Sequence, residues 1–396
     1  PMICVYSKNG CFKCEDIKKH FVKAGLTFSC EIVTSLSQVV RMNPENSEED
    51  FDKITSFPVI IQDEKVYTYD EALDKFGEPI LDTRNNRPTL FPITEHDMFE
   101  MYKKSRASFW QPEEISFAKD DTDLESLSAD ELHFINHILA FFASSDRIVL
   151  QNLNVNFKDD IQIQEALHFY AVQSGIEAIH SETYSLLIDR YVKNDAEKHK
   201  LYYAVNDIPS VKAKADWVER WTNDRIPFAQ RLFAFACVEG ILFSGAFCAI
   251  YWLKDRGLLP GLCFANELIS RDEGLHTMFG VMLYKRLKNR LSVEKVVEII
   301  SDVVKHEKEF ITESIPCSLI GMNSGLMSKY IEYVADRLIM DMGYKPLYNS
   351  KCPFEFMEKI SLTGKTNFFE KKVGDYAKAG VMAQKETQVF SMDEDF

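Results

Sequence analysis

The sequence predicts a two-part protein, a small α/β domain followed by an all-α helical bundle. Residues 1–82 alternate short apolar runs with helical segments, in the order strand–helix–strand–helix–strand–strand–helix. From Met98 onward glycine and proline become sparse, and long apolar-periodic runs dominate. A chain of 396 residues with 46% hydrophobic content is long enough for two domains and a large core.

Composition changes mark the expected boundaries. Residues 83–97 are rich in proline, asparagine and threonine, which predicts a flexible linker between the α/β domain and a helical domain over 98–376. The acidic residues 377–396 lack periodicity, which predicts a disordered tail. Helices are expected near 98–104, 129–155, 160–193, 195–204, 210–222, 228–255, 260–288, 292–315 and 324–342.

Charge and hydropathy exclude several classes of protein. The net charge of −15 disfavours nucleic acid as a partner, and no P-loop or Rossmann glycine pattern is present. The start, PMICVYSKNG, has no signal-peptide character, and the nine cysteines do not suggest a disulfide scaffold, so we expect a cytoplasmic protein. The apolar run 231–254 carries one charge, Glu239, at mid-span, which disfavours a membrane helix.

Two cysteines lie where the first predicted strand gives way to the first helix. Cys11 would sit at the helix N-terminus, which favours a thiolate, and Cys14 one turn later can resolve a mixed disulfide. Pro58 in SFPVII would present backbone beside the pair if its peptide bond is cis. The alternatives are incidental thiols or a zinc half-site, which would need further ligands such as Cys4 and Cys30.

This first segment resembles glutaredoxins, which have a thioredoxin-like fold. VYSKNGCFKC is similar to their strand and active-site stretch, and SFP stands where they carry a Val-Pro turn. The residues between the cysteines are Phe-Lys rather than Pro-Tyr, and VYTYD replaces the Gly-Gly expected before the last helix. The resemblance implies thiol–disulfide exchange, glutathione as reductant, and a contact from Pro58 to glutathione or the disulfide substrate.

The helical part contains a repeated pattern of acidic side chains and histidines. An acid and a histidine three residues apart share one face of a helix. Four such pairs occur: Asp130/His133, Glu165/His168, Glu177/His180 and Glu273/His276. The last two each follow a lone acid in an apolar helix, Asp146 and Glu239 respectively. We interpret Glu165/His168 as facing away from this set and Asp130/His133 as a surface pair.

Four inward-facing helices would bring together six side chains: Asp146, Glu177, His180, Glu239, Glu273 and His276. Four carboxylates and two imidazoles are the ligand set of ferritin-like dimetal proteins. Such donors suit two ions of iron, with manganese or a mixed pair as alternatives. Taken singly, each glutamate also fits a neutral hydrogen-bonded carboxyl group and each histidine a structural role.

A tyrosine shares the face of this predicted site. Tyr184 follows Glu177 by seven residues and therefore points the same way about two turns along the helix. Phe243 and Phe247 follow Glu239 at i+4 and i+8, and Ile269 precedes Glu273 by four. These apolar side chains would shield an oxidised phenol, although a core tyrosine is the simpler interpretation.

From about Phe91 to Phe396 the chain resembles the radical-generating small subunit of class I ribonucleotide reductase, of the eukaryote-like type. The resemblance rests on FWQPEEI, LAFFASSD, EAIHSETYSLLIDRY, VEGILFSGAF, NELISRDEGLH, IGMNSGLM, EYVADRL, GKTNFFEKKVGDY and the acidic terminal phenylalanine. It implies that the six side chains bind the metals and that Tyr184 carries the radical. It further implies an electron-transfer route through Trp110, Asp272 and His180, with Tyr376 passing oxidising equivalents to a large subunit.

The resemblance also implies docking of the large subunit through the C-terminal tail, and a homodimer. Cys11 and Cys14 would then re-reduce the disulfide left on the large subunit. Two competing hypotheses are a dimetal oxidase, desaturase or iron-handling protein with a redox appendage, and a helical scaffold without chemistry. The first gives no role to Tyr184, Trp110, Tyr376 or the tail, and the second predicts no stoichiometric metal.

Overall fold

The computed structural model describes residues 2–152, 157–314 and 323–357, with backbone alone over 146–152. The N-terminal part has the predicted element order, and its strands form one four-stranded sheet in the order β2-β1-β3-β4. Strand β1 runs parallel to β2 and antiparallel to β3, and β3 and β4 are antiparallel. The elements are β1 (Ile3–Ser7), α1 (Phe12–Lys23), β2 (Phe28–Ile32), α2 (Leu36–Met42), β3 (Val59–Gln62), β4 (Lys65–Tyr67) and α3 (Tyr69–Phe76).

Successive side chains of each strand point to opposite faces of the sheet, and both faces are apolar. Val5 and Ile60 pack with Ile17 and Phe21 of α1 on one face of the sheet. Tyr6 lies on the opposite face, in the apolar cluster that includes Val39 of α2. Both faces of the sheet are therefore covered, which is why its central strands read as nearly continuous apolar runs.

The rest of the described chain is helical, as predicted. Its helices are α4 (His96–Ala107), α5 (Asp120–Ser126), α6 (Ala129–Asn152), α7 (Gln164–Tyr191), α8 (Asp195–Tyr202), α9 (Ala204–Asp207), α10 (Pro209–Thr222), α11 (Phe228–Cys237), α12 (Ser244–Asp255), α13 (Pro260–Arg286), α14 (Val293–Ser314) and α15 (Ser324–Asp341). One continuous apolar cluster joins these helices, and it extends to Ile80 and Leu81. The long helices α6, α7, α11 and α13 pack around its centre.

Two helix predictions need correction. The helix expected at 98–104 begins at His96 and runs to Ala107, and the helix expected over 228–255 is interrupted by a π-helical segment, Val238–Leu242. The most hydrophobic 18-residue window of this apolar stretch is 94% buried inside the protein, as in a core helix. It is the one helix in the described ranges that has the length and composition of a membrane span.

Residues 83–97, predicted as a flexible linker, contact the helical part through Glu165. The fully buried carboxylate of Glu165 accepts the backbone N–H groups of Thr94 (2.8 Å) and Glu95 (3.2 Å) and a hydrogen bond from Arg87 Nη2 (2.7 Å). Glu165 therefore points away from the predicted metal site, as expected, but it anchors the segment that leads into α4. Its partners lie some seventy residues away, so local sequence composition did not reveal them.

The sheet is also fixed against the helices. The carboxylate of Glu78 accepts the backbone N–H groups of Lys288 (3.0 Å) and Asn289 (2.5 Å), just beyond α13. Lys23, in the last turn of α1, forms an ion pair with Asp160. These contacts hold the N-terminal part in one orientation relative to the helices.

Candidate metal centre

The side chains predicted to bind metal lie on four neighbouring helical segments. Each Glu-x-x-His pair occupies one face of its helix, and each lone acid comes from a facing helix. The carriers are α6 for Asp146, α7 for Glu177 and His180, the π-helical segment for Glu239, and α13 for Glu273 and His276.

Four of the six side chains converge on one point. One donor atom from each of Glu177, Glu239, Glu273 and His276 lies within 4.8 Å of all the others. All four side chains are buried, with exposed fractions of 2% or less. No other group of metal-binding side chains occurs in the part of the chain that the structure describes.

His180 completes the cluster from α7. Its Nδ1 lies 3.1 Å from Glu273 Oε1 and 3.4 Å from Glu177 Oε2. His276 presents the same ring atom, with Nδ1 2.9 Å from Glu177 and 3.1 Å from Glu273. The two imidazoles thus direct equivalent nitrogens at the same carboxylates. The side chain of Asp146 lies outside the described residues.

The carboxylates change the protonation of both imidazoles. Burial disfavours the charged ring of His180, but hydrogen bonds to Asp272, Glu177 and Glu273 outweigh burial and raise its pKa well above the ordinary value. Burial likewise opposes protonation of His276, yet Glu177 and Glu273 raise its pKa to about 9. The field of the cluster therefore favours positive charge at its centre.

This donor set fits metal cations. Burying several carboxylates in an apolar interior is costly unless cations or hydrogen bonds compensate them. Oxygen donors combined with imidazole nitrogens suit iron or manganese. The three buried glutamates and two histidines therefore fit metal ions in their chemistry, and these side chains would hold them.

A hydrogen-bonded chain joins His180 to the buried residues Asp272 and Trp110. Asp272 Oδ2 lies 3.2 Å from His180 Nε2 and accepts the indole N–H of Trp110 at 2.8 Å. Trp110 also stacks on the His180 ring, with 6.0 Å between centroids. Arg271 binds the second oxygen of Asp272 at 3.0 Å. Burial raises the pKa of Asp272, but His180, Arg271 and Trp110 outweigh burial and keep it below its ordinary value.

Tyr184 is 2% exposed and lies within an aromatic layer. The ring stacked on it belongs to Phe142 of α6, with centroids 4.4 Å apart and planes inclined by 5°. Phe243 and Phe247 stack in turn on Phe142, at 5.8 and 5.3 Å. Phe243 and Phe247 thus lie against Phe142, and Phe142, which sequence reasoning did not single out, stacks on the phenol ring.

Comparison with known proteins matches this arrangement to one family. Residues 87–353 match the family model "Ribonucleotide reductase, small chain". The ribonucleoside-diphosphate reductase small chains of Plasmodium falciparum (isolate Dd2) and Nicotiana tabacum are 51% and 54% identical in sequence to this chain. The alignments cover 87% and 81% of this chain and 98% of each relative. The chain belongs to the ribonucleotide reductase small-chain family.

Solved structures agree with this assignment. The Rnr4 homodimer of Saccharomyces cerevisiae superimposes with a TM-score of 0.66 at 37% identity, covering 74% of this chain and 94% of that one. The dimanganese(II)-NrdF of Streptococcus sanguinis, at 18% identity and a TM-score of 0.61, shares the fold, with 67% and 94% covered. The predicted ferritin-like helical fold is thereby confirmed.

Two further residues of α7 border the site of this small chain. Gln173, fully buried, donates from Nε2 to Glu239 Oε1 at 3.1 Å and lies 3.4 Å from Glu177 Oε1. Tyr170 is 1% exposed, and its hydroxyl has no hydrogen-bond partner among the described residues. Both share the face of Glu177, at four and seven residues before it, so helical spacing was the signal that could have found them.

Glu239 occupies the second position of the π-helical segment. A π-helical turn widens the helix and changes the direction of its side chains, and such turns are frequent at functional sites. An uninterrupted apolar run gave no indication of this irregularity. The π segment places Glu239 opposite Glu177 and Glu273 within the cluster.

A cavity of about 770 Å³ lies against the Glu239 side of the cluster. Glu239 and Gly240 form its inner wall, and Thr277, Tyr330 and Arg337 lie along its sides. Open space therefore adjoins the carboxylate of Glu239.

The cysteine pair lies as predicted, at the junction of the first strand and helix. Cys11 caps α1 and is joined to Cys14 by a disulfide, and its Sγ accepts the Cys14 N–H at 3.2 Å. Cys14 is fully buried, whereas Cys11 is partly exposed. Cys4 and Cys30 are free thiols outside the pair. A disulfide uses both sulfurs, so the pair does not form a zinc half-site in this state.

Pro58 also lies where the sequence predicted. The Phe57–Pro58 peptide bond is cis, and Cys11 Sγ lies 3.6 Å from the carbonyl oxygen of Phe57. Phe12, next to the disulfide, is 82% exposed. An apolar ring and backbone carbonyl thus border the accessible sulfur.

The remaining predicted residues lie outside the cluster or outside the described ranges. Tyr376 and the tail 377–396 lie outside the described residues. Asp130 and His133 are both exposed, which fits the predicted surface pair.

Proposed function

We propose that this chain is the radical-generating small subunit of a class I ribonucleotide reductase, which acts with a separate large subunit to convert ribonucleotides to deoxyribonucleotides. The observation that carries the proposal is the convergence of the three glutamates and two histidines on one point, with a buried tyrosine, Tyr184, on the same helix as Glu177. This proposal is supported by the membership of the chain in the family and by its 51% and 54% sequence identity to reductase small chains.

Six side chains would hold two metal ions, iron being favoured and manganese or a mixed pair being the alternatives: Asp146, Glu177, His180, Glu239, Glu273 and His276. When bound, the metal pair would supply the oxidising power for removing one electron from a nearby side chain. Gln173 would orient Glu239 and Glu177, because it contacts both carboxylates.

We assign the oxidised side chain to Tyr184. It is buried, and the Phe142 ring that covers it excludes water and offers no abstractable O–H hydrogen. Trp110, Asp272 and His180 would carry electrons between the metal site and the surface, because hydrogen bonds join all three side chains. Tyr376 and the C-terminal tail would pass the oxidising equivalent to the large subunit and dock it.

Turnover with a large subunit tests this assignment against a dimetal oxidase or iron-handling protein. Wild-type protein should reduce ribonucleoside diphosphates, and Tyr184→Phe should not. Tyr170→Phe is the matched control, because Tyr170 is also a buried tyrosine of α7 on the face of Glu177. Full turnover by Tyr184→Phe would refute the assignment to Tyr184.

We further propose that residues 1–82 form a glutaredoxin-like thiol–disulfide unit that re-reduces the large subunit at the expense of glutathione. The support is the Cys11–Cys14 disulfide at a helix N-terminus beside the cis Pro58. Since residues 83–97 are anchored by Glu165, this unit would act from a fixed position on the bundle. Cys11→Ser should abolish glutathione-driven turnover and leave dithiol-driven turnover intact; unchanged glutathione support would overturn the idea.

A homodimer is the proposed assembly, supported by the similarity to the Rnr4 homodimer. Light scattering of the full chain should give twice the mass of 45.7 kDa. A monomer at micromolar concentration would contradict this assembly.

A further inference from the structure

A lysine and a glutamate form a fully buried ion pair beside the π-helical segment. Lys214 of α10 lies 2.5 Å from Glu307 of α14 through Nζ and Oε2, and their exposed fractions are 1% and 0%. Burying two charges is costly, and apolar residues of similar volume often stabilise a core as well or better. Core packing alone therefore does not account for this pair.

Both members of the pair also bind backbone at the end of the π segment. Lys214 Nζ donates to the carbonyl oxygen of Leu242 at 2.7 Å, and Glu307 Oε1 accepts the N–H of Gly245 at 3.1 Å. In a continuous α-helix the Gly245 N–H would donate to the carbonyl of Ile241. Here that carbonyl accepts the Ser244 hydroxyl at 2.7 Å. The ion pair thus satisfies backbone groups where the helix changes its hydrogen-bonding pattern.

The surroundings hold the pair in place. The Lys214 ammonium lies 3.3 Å from the centroid of the Phe141 ring and 4.0 Å from that of Phe310, as in desolvated cation–π contacts. A Cβ atom at Gly245 would lie 2.6 Å from Glu307 Oε1, so the carboxylate approaches the backbone closely because residue 245 is glycine. The lysine has little room to take another position.

We propose that Lys214 and Glu307 are positioning residues that fix the π-helical geometry and so aim the Glu239 carboxylate into the cluster. Glu239 lies three residues before Leu242 on the segment that the pair clamps. Without the clamp the segment would be free to relax, and the carboxylate would lose its fixed place opposite Glu177 and Glu273. The inference rests on the proposed metal-binding function.

Two double variants separate the clamp from simple charge burial. Lys214→Met/Glu307→Leu removes both backbone contacts, whereas Lys214→Met/Glu307→Gln keeps an acceptor for the Gly245 N–H. Neither leaves an unpaired buried charge, which would destabilise the fold strongly. The matched control is Arg220→Met/Asp302→Asn, which removes an exposed ion pair between the same two helices, 3.2 Å apart.

Hydrogen exchange of the metal-free full chain is the first measurement. The backbone amides of residues 238–245 should exchange faster than in the wild type in the Met/Leu variant. The increase in exchange rate should be smaller in the Met/Gln variant, and the control should exchange at the wild-type rate. Mn(II) titration is the second: affinity should fall by about 10–100-fold in the Met/Leu variant, as for other residues that orient metal ligands.

The outcomes distinguish this inference from the proposed function. Wild-type protein that binds no Mn(II) or Fe(II) would overturn metal binding itself, whatever the exchange rates show. Metal binding by wild type together with wild-type affinity and exchange in the Met/Leu variant would overturn the clamp. Equal losses in both double variants would overturn the positioning role of Glu307, because the Met/Gln variant keeps the acceptor for the Gly245 N–H. Thermal melting of each variant identifies general unfolding, which would accelerate exchange throughout the chain.

Discussion

Trp110 donates its indole N–H to Asp272 at 2.8 Å, across 162 residues of sequence. The same carboxylate oxygen lies 3.2 Å from His180, whose other ring nitrogen faces the glutamates of the cluster. One carboxylate thus orients a proposed metal ligand and connects it to a buried indole. This relationship gives two predictions with different readouts.

The first concerns the orientation of His180. Asp272→Asn removes the charge that fixes the imidazole, so we expect metal affinity or turnover to fall by about 10–100-fold. Metal content after reconstitution and the rate of ribonucleotide reduction measure these effects. Wild-type metal retention and turnover would mean that Asp272 does not support the site.

The second concerns electron transfer. Trp110→Phe removes the N–H donor while keeping an aromatic ring, so metal content should stay unchanged and turnover should fall by about tenfold or more, a barrier increase of about 1.4 kcal/mol. Trp217→Phe is the control, since Trp217 is a fully buried indole of α10 outside this chain of contacts. Equal turnover in the two variants would remove Trp110 from the route.

A third prediction concerns metal removal. A chelator would remove the cations that compensate the buried carboxylates Glu177, Glu239 and Glu273, so the melting temperature should fall. At a free metal concentration 100 times Kd, metal binding adds about 2.7 kcal/mol to the free energy of unfolding. Glu239→Gln should raise the stability of the metal-free protein and weaken metal binding. A melting temperature independent of metal in the wild type would contradict the site.

A fourth prediction concerns the segment 83–97. Glu165→Gln weakens the acceptor for Thr94, Glu95 and Arg87, and we expect a loss of about 1–3 kcal/mol together with faster amide exchange at Thr94 and Glu95. Glu182→Gln, an exposed position on the same helix, should change neither quantity. Unchanged exchange at Thr94 would show that the segment is held by other contacts.

A fifth prediction follows from His20 of α1. Burial lowers its pKa, and its Nε2 accepts the N–H of Glu78 at 2.9 Å, so the folded protein holds a neutral ring. The unfolded chain takes up a proton below its ordinary pKa of about 6.5, and the folded chain does so only at lower pH. Stability of the N-terminal unit should therefore decline as pH falls below about 6.5. Exchange of the Glu78 amide measures this decline, and His20→Gln should abolish the slope.

The cluster was predictable because its signals are local. A glutamate and a histidine three residues apart share a helix face whatever the tertiary structure, and the repeat of Glu177/His180 in Glu273/His276 set them apart from the other pairs. The order of strands and helices before residue 82 was predictable for a similar reason. Hydropathy periods of two and of 3.6 residues are visible in the chain itself.

The missing parts depend on partners far away in sequence. Phe142 stacks on Tyr184 from another helix, and Glu165 orders residues 83–97 across some seventy positions. The π segment at Glu239 depends on side chains of α10 and α14 that satisfy its backbone. Periodicity reports which face a residue occupies, and it carries no information on which helix that face will meet.

Electron paramagnetic resonance of the full chain, after loading with Fe(II) and exposure to O₂, tests the central claim most directly. The wild type and Tyr170→Phe should bind two metal ions per chain and give the same organic radical signal, altered in hyperfine structure by ring-deuterated tyrosine. Tyr184→Phe should bind the same metal and lack the signal. A deuterium-sensitive signal of wild-type intensity in Tyr184→Phe, or a wild-type chain without stoichiometric metal, would contradict the account.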